Sequence, residues 1–320
     1  MAKVSPTYSS GTNGEDFVPN SIAELGNMIG KIAYSVIREN TAQDKLAVFD
    51  KAKIDNGDTI EQAVVKMAES LAYDEEGLDA LKREDSVKFA VKYFNDWTRS
   101  KFKKTVDVPE IRQVLLGNKD VSDISSKIVS SMTEGDMQEK YENVRDLVSW
   151  GRQTADGGTG NVLVKYATIP YDTLNSSINF KKTLEEMKNA VDGMKFVNTD
   201  FNTANLKRRT RDEDIYILMP YQLKNAIDVN DLAGVFNLSK AEVEARIITT
   251  DTGKEGTNQD YYIYIVDKHA VLDFTRLYEM VDELNADGLF WNYYLHVSRL
   301  YALSPLFDAC YIKVETKENE

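Results

Sequence analysis

Apolar residues along this chain follow two rhythms, short continuous or alternating runs and stripes three or four residues apart, and together they define most of its elements. Ile215 to Met219 is a short apolar run that Pro220 ends, since proline cannot donate to a strand ladder; it reads as a buried strand. YYIYIVD at Tyr261 to Asp267 reads the same way. Tyr293, Leu295 and Val297 alternate with Tyr294, His296 and Ser298, and Pro305 separates that strand from a last one at Ala309 to Val314. Helical spacing joins Ile22, Leu25, Ile29, Ile32 and Val36 behind a capping box of Ser21 and Glu24, which predicts a helix over 21–39 in which Gly26 and Gly30 signal close packing. Ile124, Ile128 and Met132, then Met137, Tyr141, Val144 and Val148 after Gly135, predict one kinked helix or two, closed at Trp150-Gly151. Leu184, Met187, Val191 and Met194 place a helix near 181–197 whose stripe is core rather than a cofactor box. Asp228 is placed to cap the next predicted turn, ahead of Val229, Leu232 and Phe236, which are spaced three and four apart. His269 opens a further predicted helix that carries Phe274, Leu277, Val281 and Leu284 and ends near Asp287-Gly288, where glycine suits a C-terminal cap.

The first half is less decided by its pattern. Residues 1–20 are rich in Ser, Thr, Gly and Asn with few apolar anchors, which predicts an arm disordered in the isolated chain. Asp55-Asn56-Gly57-Asp58 is the strongest turn signal, because Asn and Gly tolerate positive φ. Thr59 to Asp74 admits two readings. By local pattern, which favours this reading, Thr59 with Gln62 caps a helix whose apolar face is Ile60, Val64, Met67 and Leu71; the other reading, part of a long hairpin, is what the family resemblance described below implies. The return strand is then Trp97 to Val108, with Arg99, Lys101 and Lys103 on one face at period two. Those cations either guard an edge strand against aggregation or form a basic strip for the carboxylates of a neighbouring subunit. A two-stranded ribbon is marginal in water, so a long hairpin without a local core needs a partner surface.

In order along the chain, KIDNGDTIEQAVVKMAESLAYD from Lys53 to Asp74, VKYFNDWTRSKFKKTVDVPEIRQVL from Val91 to Leu115, the segment beginning RDEDIYILMP, YYIYIVD and GLFWNYYLHVSRLYALSPLFDACYIKV resemble the major capsid proteins of tailed bacteriophages. The likeness is strongest to those of phages of Gram-positive bacteria, whose heads are built from the Hong Kong 97 fold. It covers most of the chain beyond the first forty residues or so, and its specificity lies in the order of the segments rather than in any sharp motif. The resemblance implies an α+β fold with an N-terminal arm and first helix over 1–50 and an extended hairpin loop over 51–110. A peripheral domain with a long spine helix follows over 111–150 and 297–320, with an axial domain over 151–296. Part of Thr59 to Asp74 would then lie in the hairpin that family members extend over the adjacent subunit.

What the resemblance implies about function is mechanical. Many copies would self-assemble into hexamers and pentamers of an icosahedral head, first as a procapsid and then as a mature shell of the virion enclosing double-stranded DNA. Because the arm is too short for a fused scaffold, a separate scaffolding protein is expected, with a portal at one vertex and assembly in the cytoplasm of the host bacterium. Two alternatives stand beside it: the shell protein of an encapsulin-like nanocompartment, and a cytoplasmic α+β enzyme with an unrecognised site.

Composition narrows these choices. The chain has 320 residues, 42% hydrophobic and 28% charged, with no stretch near the run of about 18 apolar residues that a membrane span needs and no apolar core of signal-peptide length at its start. A net charge of -13 argues against a protein that grips nucleic acid, which needs clustered Lys and Arg, yet suits a container that must hold a polyanion without adhering to it. One cysteine, Cys310, lies in an apolar run and reads as a small buried hydrophobe.

Searches for chemistry end without a candidate. Asp156 to Asn161 lacks the Gly-Lys-Ser/Thr ending of a phosphate loop, and the 151–161 stretch reads as an exposed loop. The DNGD turn lacks the spacing of a calcium loop, His269 and His296 lie outside any zinc pattern, and no GxSxG elbow nominates a nucleophile. No catalytic residue, cofactor site or metal site is therefore assigned. Lys207, Arg208, Arg209 and Arg211 precede Asp212, Glu213 and Asp214; the cluster reads as a solvated run neutralised by its neighbours, with intersubunit salt bridges or contact with enclosed DNA as the other readings.

Overall fold

The computed structural model describes residues 46–54, 57, 59–68, 70, 88–107, 121–152, 162–172, 178–227, 246–251, 260–288 and 290–316, with side chains at all of these but 106–107 and 121–129. The arm, the helix expected over 21–39, most of the 151–161 loop and the turn after Asp228 lie outside the described residues. The chain divides into two compact units, one of residues 1–42, 101–136 and 279–295, the other of residues 43–100, 137–278 and 296–320.

The larger unit is built on a five-stranded sheet in the order β4 (Val164–Ile169), β10 (Ala309–Val314), β7 (Tyr261–Asp267), β5 (Ile215–Pro220) and β6 (Ile247–Thr250). Its outer pairs, β10 with β4 and β5 with β6, are parallel, whereas β7 runs antiparallel to both β10 and β5. The three central strands are covered on both sides, which is why their sequences read as nearly unbroken apolar runs. Alternation still sorts the side chains. Ile263, Ile265, Cys310, Ile312 and Val314 face one layer with Met187, Val191 and Met194 of α2 (Phe180–Lys195), while Tyr264, Val266, Ala309 and Tyr311 face the other with Val144 and Val148 of α1 (Val121–Gly151).

Sequence expectations for β5, β7, β10 and α2 hold, and so does the buried thiol: Cys310 is fully buried, which pushes its pKa up. Pro220 remains inside β5, where the next residue starts a short helix, α3 (Tyr221–Ala226), and nothing further is asked of the ladder. Asn179 accepts a hydrogen bond from Lys182 N at 3.1 Å and so caps α2. Gly193 matters near its end, because a Cβ there would lie 2.8 Å from Cζ of Phe201, whose ring stacks on Tyr166.

Helix α1 is one continuous helix of 31 residues, about 46 Å long at 1.5 Å per residue. Gly135 does not break it; a Cβ there would sit at ordinary contact distance from the Phe102 ring. Its buried stripe is Met132, Asp136, Lys140, Val144 and Val148, a strict fourfold spacing that includes two charges, and it closes at Gly151 as expected.

Two expectations are overturned. The helix opening at His269 is instead β8 (Val271–Asn285), and His269 belongs to the β7–β8 turn, where its N–H donates to Asp267 Oδ1 at 2.8 Å. The strand that returns from the first hairpin is β2 (Phe89–Phe94), which pairs antiparallel with β1 (Ile60–Val65). Strand β3 (Trp97–Asp107) pairs with β9 (Phe290–Leu303) in a separate three-stranded sheet ordered β3-β9-β8. Ile60 to Val65 is therefore strand, not helix. Gly57 has the positive φ, +100°, that the expected turn over 55–58 asks of its glycine, while Asp55, Asn56 and Asp58 lie outside the described residues.

Candidate assembly surfaces

The β1–β2 ribbon has two unlike faces. Ile60 and Phe94, directly opposite in register, pack on Trp97, Leu272, Phe274, Leu300 and Ala302 and tie the base of the ribbon to its unit. The other face carries Ala63, Val65, Phe89, Val91 and Tyr93, brought together by the pairs Glu61 with Tyr93, Ala63 with Val91 and Val65 with Phe89. Val65, Phe89 and Tyr93 are 57%, 59% and 61% exposed. Contiguous apolar residues of this kind on a thin ribbon mark a contact surface, because leaving them in water forfeits their burial.

A second exposed strand is β8. Its first three residues are buried, but everything from Leu277 to Asn285 is exposed on both faces, including Leu277, Tyr278, Met280, Val281 and Leu284. At the opposite edge of the same sheet, β3 presents Lys101 and Lys103 with their ammonium groups 5.9 and 5.4 Å from the centre of the Tyr294 ring on β9. Thr105 donates to Asn292 Oδ1 on that side, and the expected period-two basic face is present on an edge strand.

The basic run at 207–211 is divided among different tasks. Arg208 donates to Asp267 Oδ2 at 3.0 Å and to the Leu306 carbonyl at 2.9 Å, lies 3.4 Å from Asp308 Oδ2 and stacks 4.1 Å over Phe307. Thr210 and Asn202 donate to the two oxygens of Asp308 at 2.8 and 3.0 Å. Burial is the main cause that holds the Asp308 carboxyl above its usual range, against those hydrogen bonds. Arg208 is thus a structural cation, contrary to its expected place in a solvated run. Of the three acids that follow, Asp214 pairs with Lys268 at 2.5 Å and Asp212 with Lys195 and Arg246 at 3.1 and 3.2 Å; Glu213 alone meets a member of the run, Arg211, at 3.6 Å. Lys207, Arg209 and Arg211 are exposed.

Sequence reasoning also missed a charged triad in which Lys140 and Asp273 are buried and Asp50 is exposed. Lys140 of α1 pairs with Asp50 and lies 3.6 Å from Asp273 Oδ2 of β8, whose side chain is 2% exposed. Among the described residues no group of three or more His, Cys, Asp or Glu is placed to hold a metal ion, and His269 and His296 line different shallow clefts. No described helix is long and apolar enough to cross a membrane.

The sequence model of the Phi29-like phage major capsid protein matches residues 2–313. The chain belongs to the Phi29-like phage major capsid protein family. Among relatives, it is 24% identical over 292 residues to the major capsid protein of Bacillus phage GA-1, covering 89% of this chain and 59% of that protein. The corresponding figures are 22% identity, 92% and 68% for the major capsid protein of Bacillus phage PZA, and 21%, 92% and 83% for that of Streptococcus phage Cp-1. The chain thus spans less than two thirds of the GA-1 protein. In fold it is similar to the capsid structure of Staphylococcus phage Andhra, with a TM-score of 0.72 at 12% identity over 90% of this chain and 88% of that one. The mature capsid of bacteriophage PhiM1 gives 0.56 at 9% identity, covering 98% and 97%. These matches do not favour the nanocompartment alternative.

Proposed function

We propose that this capsid-family chain is the repeating subunit of a tailed-phage head, working by self-assembly and not by catalysis. The observation that carries the reading is the β1–β2 ribbon: one face anchors it, while Val65, Phe89, Val91 and Tyr93 on the other await a surface that the described chain does not supply. A neighbouring subunit supplies it. In the Hong Kong 97 plan, the ribbon belongs to an extended loop, α1 to the spine of a peripheral domain and the five-stranded sheet to an axial domain, which then takes in β10 from the 297–320 stretch expected in the peripheral domain. Contacts of this one-way kind close into rings, here pentamers and hexamers, and several weak contacts per subunit add by effective concentration.

The shell encloses double-stranded DNA. Its excess of carboxylates limits adhesion to the packaged polyanion and keeps free subunits soluble before assembly in the host cytoplasm. A separate scaffolding protein and a portal complete the proposed set of partners. Negative-stain microscopy of the recombinant chain, alone and with a candidate scaffold, tests this reading. Closed shells or capsomer rings support it; a homogeneous small oligomer under both conditions overturns it.

A further inference from the structure

The three-stranded sheet ends in two unlike edges. Along β3, Lys101 to Thr105 reads KFKKT, with three cations and no anion. Along β8, Glu279 to Asn285 reads EMVDELN, with three anions and no cation. The strand between them is β9, so among the described residues both segments are edges with unpaired backbone groups on one side. All of Glu279 to Asn285 is exposed, and Met280, Val281 and Leu284 are 42%, 46% and 49% exposed.

A long, apolar, uncovered edge strand is a template for pairing with another chain. From Leu277 onward β8 has no proline and no lysine, its side chains are exposed on both faces, and its three carboxylates are what guards the edge. Its three carboxylates prevent two β8 edges from meeting each other, because like charges directly opposite are destabilising. The same argument forbids β3 from pairing with β3 through its lysines. The combination these charges favour is unlike edges, three cations against three anions over strands of similar length.

We infer that β8 of one copy adds edge-to-edge onto β3 of a second copy, extending the β3-β9-β8 sheet from subunit to subunit. Backbone hydrogen bonds supply the adhesion and the lysine and carboxylate rows supply the direction. Because the contact joins different surfaces on the two partners, it is head-to-tail and propagates until a ring closes. The occupant of the β8 edge is thus a second copy of this chain, and the basic strip on β3 finds its carboxylates there. This inference rests on the shell reading above and sharpens it.

Charge exchange and crosslinking test it together. The variants Glu279→Lys with Glu283→Lys, and separately Lys101→Glu with Lys103→Glu, are expected to fold, as checked by circular dichroism and thermal melting, yet each to fail to form rings or shells alone. Mixed in equal amounts they present only opposite edges to one another, and even-membered assemblies such as hexamer rings are expected to return. Because the one native thiol, Cys310, is fully buried, Val281→Cys with Lys103→Cys in a single chain reports the contact directly. Oxidation of assembled particles is expected to give a ladder of covalent oligomers on a denaturing gel.

Normal shells from both charge variants, or shells that yield no ladder, would overturn edge pairing while leaving the shell function intact. Failure of the unaltered chain to form any ring or shell, with or without scaffold, overturns the shell reading itself.

Discussion

Replacing Asp273 by asparagine should stabilise the subunit, and by more at alkaline pH than at acid. Burial, set against Lys140 and Arg299 and reinforced by the neighbouring Asp50, pushes the Asp273 carboxyl from its ordinary 3.8 up to about 7. A carboxyl whose pKa is raised on folding keeps its proton longer in the folded state. Stability is therefore highest below the unfolded value, falls as pH rises between the two values, and levels off above the folded one. At 1.36 kcal/mol per unit, the loss accumulated between pH 5.5 and the folded value is about 2 kcal/mol, and an amide, which does not titrate, avoids it. Lys140 keeps its pairing with Asp50 in the variant, so no buried charge is orphaned. Urea unfolding of unassembled wild-type and Asp273→Asn subunits at pH 5.5 and pH 8, followed by tryptophan fluorescence, reads the difference. The advantage of the variant should grow by about 2 kcal/mol between the two pH values. An equal effect at both, or a loss at pH 8, would show that Asp273 is an ionised partner of Lys140 and refute the reasoning.

Other substitutions separate structural from assembly roles. Arg208→Ala leaves Asp267 and Asp308 buried without their cation and should cost about 3–5 kcal/mol in urea melts, whereas Arg211→Ala, at an exposed pair, should stay within about 0.5 kcal/mol. Gly193→Ala pushes a methyl against Phe201 and should cost about 1–3 kcal/mol, read as a lower melting temperature. The double variant Val65→Ser, Phe89→Ser changes only the outward face of the ribbon; its melting curve should match the wild type while sedimentation shows free subunits in place of shells.

Much of the body was legible because burial writes itself into sequence. Strands β5, β7 and β10 lie between two layers and read as apolar runs, and α2 shows its stripe because one side packs on the sheet and the other meets water. Strand β8 failed for the complementary reason. Period two appears only when one face is buried, and Leu277 to Asn285 is exposed on both, so Phe274, Leu277, Val281 and Leu284 were free to mimic a helical stripe. The partner of β1 was misassigned because β2 and β3 are both strands and the pattern does not say which one a third strand will choose. Charged residues in the interior were hidden too. Arg208 finds its carboxylates 59 and 100 residues away and Lys140 finds Asp273 across 133, while the acids adjacent in sequence turn to other cations. The apolar face of the ribbon was readable only once its register was known, since Val65 and Phe89 meet across a 23-residue excursion.

The most direct test of the account is an electron cryomicroscopy reconstruction of particles formed when the chain is co-expressed with a candidate scaffold. The account predicts a closed shell of pentamers and hexamers in which each β1–β2 ribbon lays Val65, Phe89 and Tyr93 against a neighbouring subunit. A discrete small oligomer, or a shell whose ribbons stand free in solvent, would contradict it.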